Sequence, residues 1–215
     1  MHLRPAVVAL AGGLALAVGV PAAWTGTRPA TAAGPPLSSV VAAPSPAADA
    51  LPQPAVHPAT PAPPAEVPTP VRLVVAGVGV DAPVDPVGVT GDGLMQLPDD
   101  VRRVGWYRFG PAPGQPEGTV VLAGHVDAWD QGLGALGRLR GVAPGQVVEV
   151  DDSAGGVTRW QVVTRRLVGK EALPLAALFA RAGPPRLVLL TCGGPFDARL
   201  RSYRDNLVVV AEPVR

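Results

Sequence analysis

From Val71 onward the sequence is cut into short β-branched runs separated by Gly, Pro and Asp. The runs that read as strands are 71–75, 94–97, 118–124, 147–150, 158–165, 186–191 and 206–210. Residues 157–163, VTRWQVV, roughly alternate apolar and polar side chains, as a half-buried strand does. One segment, 175–182, reads as a short helix, with Pro174 ahead of it and Gly183-Pro184 closing it. Many short strands with turn residues between them predict an antiparallel barrel or sandwich. Residues 71–215 suffice for one domain with its own core.

The chain ahead of Val71 is of a different kind. Residues 5–24, PAVVALAGGLALAVGVPAAW, carry no charge and follow His2 and Arg4. A stretch of that length matches a ~30 Å hydrocarbon core crossed as a helix. It exceeds the apolar region of an ordinary signal peptide, which favours a retained anchor over a cleaved signal, although Ala22-Ala23 and Ala30-Thr31-Ala32 offer small residues for cleavage. Arg4 on the short side predicts a cytoplasmic N-terminus, with the rest outside. Residues 25–70 are mostly Pro, Ala, Thr, Ser and Val and end in PAPPAEVPTP. Such a segment has too little large apolar surface to offset its ordering entropy, so the expectation is a disordered, extended spacer. The expected organisation is therefore 1–24 anchor or signal, 25–70 linker, 71–215 folded domain.

Composition removes several functions. A net charge of +1 and the absence of an arginine stripe interleaved with aromatics argue against nucleic acid as a partner. One cysteine excludes an internal disulfide and a multi-cysteine zinc site. The chain has a single lysine, Lys170, the other Lys and Arg positions being arginine.

The reactive inventory of residues 71–215 is correspondingly small. Cys192 is the only cysteine and His125 the only histidine beyond the spacer, since the other two are His2 and His57. Each ends an apolar run and enters a Gly-bearing turn, TVVLAGHVD for His125 and RLVLLTCGG for Cys192. Taken singly, Cys192 reads as a small buried hydrophobe and His125 as a turn residue. Together they form the minimum set for thiol chemistry, a nucleophile with an imidazole to hold its proton and pass it to a departing amine. Acyl transfer also needs a donor for its oxyanion. Arg204, in SYRDN at the entrance of the last run, is brought near the sulfur by hairpin geometry. Arg199 and Arg201 read as solvated charges in the intervening loop. Thr191 and Asp127 are candidate substrate-binding residues, Asp127 reading equally as an orienter of His125 or a plain turn aspartate.

The stretches GHVDAWDQGLGALGRLRGVAPGQVVEV, LLTCGGPFD and YRDNLVVVAEP resemble the sortase family over residues 71–215, and specifically its actinobacterial class E/F, with class F favoured. The family's TLxTC motif stands here as VLLTC, without the first threonine. The resemblance implies a mostly β fold: an eight-stranded β-barrel with one or two short helices, after an N-terminal membrane helix and a disordered linker. It maps the family's catalytic histidine, cysteine and arginine onto His125, Cys192 and Arg204. It implies a single-pass membrane enzyme with its domain outside the cytoplasm, using no cofactor and no metal. The implied partners are secreted proteins bearing a C-terminal LPxTG-like sorting signal, cut between Thr and Gly, and an amine from a cell-wall precursor or pilin. Peptide selection is expected in a groove around residues 165–185. An L,D-transpeptidase is a competing enzyme reading, weakened because His125 lies far upstream of Cys192; a catalytically silent surface domain is the non-enzymatic one.

Overall fold

The computed structural model describes residues 32–41 and 67–214. The expected anchor over 1–24 and most of the expected linker lie outside these residues. Among the described residues no helix is long and apolar enough to cross a membrane.

Eight strands close into a barrel: β2 (Pro70–Val75), β3 (Val80–Val87), β4 (Val104–Tyr107), β5 (Thr119–Gly124), β8 (Val147–Asp152), β9 (Val157–Gly169), β10 (Arg186–Asp197) and β11 (Ser202–Pro213). Around the barrel the order is β9-β11-β10-β5-β4-β3-β2-β8, with β8 pairing β9 to close it. β3–β4 and β5–β10 are parallel, and the remaining neighbours are antiparallel. A small hairpin of β6 (Asp127–Ala128) and β7 (Gly132–Leu133) follows β5. The interior is filled by Leu73, Val104, Leu122, Leu136, Val150, Leu187, Leu189 and Val209 among others, each fully buried. Burial of this kind contributes about 1.5–3 kcal/mol per large aliphatic side chain before entropy is counted.

The mostly β barrel agrees with the sequence expectation, with differences at particular elements. Residues 94–97 form only a bridge, Val89 to Met95, and not a strand. β3, VDAPVDPV, was not expected because it holds two prolines. It tolerates them because residues 80–83 pair only with β2 and residues 84–87 only with β4, so many of its N–H groups have no ladder partner to lose. The expected helix over 175–182 shrinks to one turn, α2 (Leu175–Leu178). β9, β10 and β11 all extend well past their apolar runs.

Within the stretch read as an extended spacer, residues 32–41 instead dock on the barrel as a strap. β1 (Ala32–Ala33) pairs antiparallel with β9 through Ala32–Arg166 and Ala33–Arg165. Gly34 takes φ +85°, and a Cβ there would lie 2.4 Å from the Val163 carbonyl oxygen. The Thr164 hydroxyl reaches the carbonyls of Ala33 at 3.1 Å and Pro35 at 2.6 Å. The single turn α1 (Leu37–Val40) then buries Val40, with Val41 behind it, against Ala177, Leu178, Val188, Val208 and Val210. Two adjacent valines on the barrel's outer face supply the apolar area that the surrounding Pro/Ala sequence lacks.

Replacing both Val40 and Val41 with Ala should lower unfolding stability by about 2 kcal/mol, read from the shift in urea midpoint at unchanged m-value. An unchanged midpoint would show that the strap contributes nothing to the fold.

Candidate active site

The site begins with the parallel pairing of β5 and β10. Its register runs from Arg186–Thr119 to Leu190–Ala123; there β5 ends at Gly124, while β10 runs on past this rim to Asp197 against β11. Cys192 lies two residues beyond Leu190 and His125 two beyond Ala123. The register puts the two residues past the same end of the β5–β10 ladder, but only His125 follows a strand end: Cys192, expected at one, lies within β10 because the chain goes on pairing with β11.

Each rim position is held locally. The His125 Nε2 lies 3.1 Å from the Pro98 carbonyl oxygen, a contact that favours the proton on Nε2 and leaves Nδ1 as acceptor. Its own carbonyl accepts from the Leu136 N–H at 3.2 Å. Gly134 passes so close that a Cβ would lie 2.3 Å from the His125 oxygen. On β10, a register shift between Gly193 and Phe196 interrupts the ladder just after Cys192, with Gly194 at φ +71°.

Cys192 is a half-buried free thiol. Burial pushes its pKa above the ordinary thiol value; the Asp127 carboxylate adds to this and the Lys170 ammonium opposes it. The resting sulfur is therefore a thiol at neutral pH, and a nucleophilic thiolate requires that its proton be taken. Thr191 is 4% exposed, and its hydroxyl has no hydrogen-bond partner. A buried hydroxyl without a partner is an unmet polar group one residue before Cys192 on β10.

These residues open on a groove of about 640 Å³. One wall comes from the β3–β4 connection (Val89, Leu94, Met95, Leu97) and the other from the β9–β10 connection (Lys170, Leu173, Leu175, Ala176, Phe179), over a floor of Tyr107, Leu190, Thr191, Cys192 and Asn206. The second wall lies where the sequence placed peptide selection. Tyr107 and Phe179 meet edge-to-face at 5.1 Å. The missing first threonine of the cysteine motif is Val188, fully buried in the apolar cluster under the strap, where a hydroxyl would need a partner.

The other two sequence candidates have different partners. Asp127 accepts from the Tyr203 hydroxyl at 2.5 Å, which holds the β6–β7 hairpin to β11; the structure gives it no contact with His125. That bond, with burial and the nearby Asp127 and Cys192 charges, pushes the Tyr203 pKa up to about 12. Arg204 lies next to the rim, yet its guanidinium donates to Asp197 at 3.1 Å, is 66% exposed, and is not among the residues that line the groove. The residue directly across from Cys192 is Asn206. Sequence reasoning missed it, although carrying the antiparallel register down from the long apolar runs of β10 and β11 would have found it. Among the described residues no cluster of three or more His, Cys, Asp or Glu could hold a metal ion.

The barrel thus carries a half-buried thiol in the lining of an apolar groove, with an imidazole just beyond the end of the neighbouring strand; His125, like Arg204, is not itself among the lining residues. The sortase-domain family profile matches residues 73–214, and the chain belongs to the sortase family, a family of cysteine transpeptidases. Among solved structures it is similar to sortase C1 of group B Streptococcus pilus island 1, at 19% identity and TM-score 0.52 over 67% of this chain and 64% of that one. It is also similar to sortase C-1 from Actinomyces oris (23%, TM-score 0.52, 67% and 71%) and to a lid mutant of sortase A from Corynebacterium diphtheriae (18%, TM-score 0.52, 70% and 73%). The chain thus spans somewhat less than two thirds of the streptococcal protein. No curated protein sequence matches this one.

Alkylation of Cys192 by iodoacetamide should rise with pH through an inflection above that of a free cysteine, because the thiolate forms only above the raised pKa. Replacing Asp127 with Asn removes a like charge and should move the inflection down; an upward or absent shift would contradict the electrostatics described.

Proposed function

We propose that this protein is a sortase-type cysteine transpeptidase that cuts an LPxTG-like C-terminal sorting signal between Thr and Gly. The reading is carried by Cys192 in the lining of an apolar groove that suits an extended peptide, with His125 following the strand that pairs β10 just before Cys192. The His125 imidazole takes the Cys192 proton. The sulfur then forms a bond to the Thr carbonyl carbon, and the carbonyl electron pair moves to oxygen. On collapse the C–N bond breaks, and the imidazolium passes its proton to the departing glycine amine. An acceptor amine attacks the resulting thioester, loses a proton to the imidazole and releases the thiolate.

Thr191 supplies its unmet hydroxyl to the bound peptide, and the Asn206 amide faces the reacting carbonyl from the opposite strand. Arg204 takes the role the family pattern gives it only by releasing Asp197. The class assignment is E/F, with F favoured, on the GHVD, LLTCGG and YRDN motifs. In this reading residues 1–24 anchor the enzyme in the cell membrane with its barrel outside. Its partners are secreted proteins carrying the signal and an amine of a cell-wall precursor or pilin.

The test is mass spectrometry of the products formed from a panel of sorting peptides and amines. The expected products are a peptide ending in Thr joined to the amine, with the glycine fragment released. Cys192→Ala should abolish both, and His125→Ala should lower kcat by about 10²–10⁴-fold. Turnover by Cys192→Ala would place the nucleophile elsewhere.

A further inference from the structure

We propose that Lys170 is the positive charge of the catalytic groove, its ammonium facing the Cys192 thiolate and the oxygen of the carbonyl that Cys192 attacks. This inference rests on the transpeptidase reading above.

The placement follows from strand register. Val168 on β9 pairs with Asn206 on β11, and Asn206 pairs with Cys192 on β10, so the three form one row across the rim. Lys170 comes two residues after Val168, where β9 ends and the groove wall begins. It is the one charged side chain among the residues that line the groove, most of which are apolar. A charge beside apolar walls is screened less than one in open water and acts more strongly on what binds there.

The state of the ammonium matters as much as its place. Its Nζ donates to the Ser202 hydroxyl at 2.7 Å, a neutral partner that fixes its position and leaves its charge intact. Among the described residues no carboxylate lies within ion-pair distance of it, whereas Arg204 is engaged by Asp197. Of the other charged groups nearby, Arg140 acts on Tyr203, and Asp127 is the carboxylate that acts on the sulfur. Asp127 on β6 and Tyr203 on β11 face it, His125 follows the end of β5, and the Asp205 carboxylate, on β11 opposite Gly193, reaches toward Gly194. Only Lys170 draws the thiol toward its thiolate. Through the acylation step Lys170 keeps its proton: it pairs first with the sulfur anion, then with the oxyanion as negative charge passes from sulfur to oxygen, while His125 handles the proton.

The experiment compares wild type, Lys170→Met, Lys170→Arg and Arg204→Met. The readouts are iodoacetamide alkylation of Cys192 against pH and steady-state cleavage of a sorting peptide, with the urea midpoint of each variant confirming its fold. Lys170→Met should move the alkylation inflection upward and lower kcat about tenfold with little change in KM. Raising salt should narrow the gap to wild type, because the lost term is a screened charge. Lys170→Arg should recover most of the inflection. A folded Lys170→Met protein with wild-type inflection and kcat overturns the proposal, as does an inflection that moves only in Arg204→Met. If wild type cleaves no sorting peptide, the transpeptidase reading fails, and the alkylation inflection alone still decides whether Lys170 serves the thiolate.

Discussion

The site depends on one parallel ladder, β5 beside β10. Parallel neighbours end at the same rim, whereas an antiparallel pair would put its two C-terminal ends on opposite sides of the barrel. Residues 119–124 are buried along their whole length, and Val188 and Leu189 opposite them are fully buried too, so this ladder lies deep in the core. Its side chains cannot slip by one residue without reversing which of them face the interior. The imidazole and the thiol therefore stand together because of the least deformable part of the fold.

Electrostatics at that rim pull in opposing directions. Burial and Asp127 hold the sulfur protonated, and Tyr203 ties Asp127 in place. A half-buried thiol in an apolar groove is protected from adventitious oxidation by the same effect that makes it a poor nucleophile at rest. A thiolate in this groove then needs its proton taken and its charge met; Lys170 lies in the groove lining, and His125 follows β5, the strand that pairs β10 just before Cys192.

What the sequence revealed follows from what hydrophobic patterning records. The apolar runs 118–124, 186–191 and 206–210 announced β5, β10 and β11, because a strand buried on both faces writes its burial directly into composition, and 71–75 announced β2 although that strand buries one face only. β3 was hidden by Pro83 and Pro86, since its halves pair on one side each, which no local pattern reports. His125 and Cys192 were legible by elimination, being alone of their kind in the domain. Arg204 was placed near the sulfur by hairpin counting, but where its guanidinium points depends on Asp197 across the turn. Asn206 and Lys170 were missed because their roles arise from register between three strands that are distant in sequence. The strap was missed because Val40 and Val41 are too few to stand out within a Pro/Ala tract.

The cluster that holds the strap also includes Leu173, Phe179 and Leu190, which line the groove on their other side. The strap thus presses on one face of a thin apolar layer whose other face lines the groove in which a peptide is proposed to bind. Linkage makes such a layer reciprocal: whatever free energy a docked strap lends to the shape of the wall, a bound peptide returns to the docking of the strap. The segment joining this barrel to the chain before it is then a second ligand of the same wall, covalently supplied and always at high local concentration.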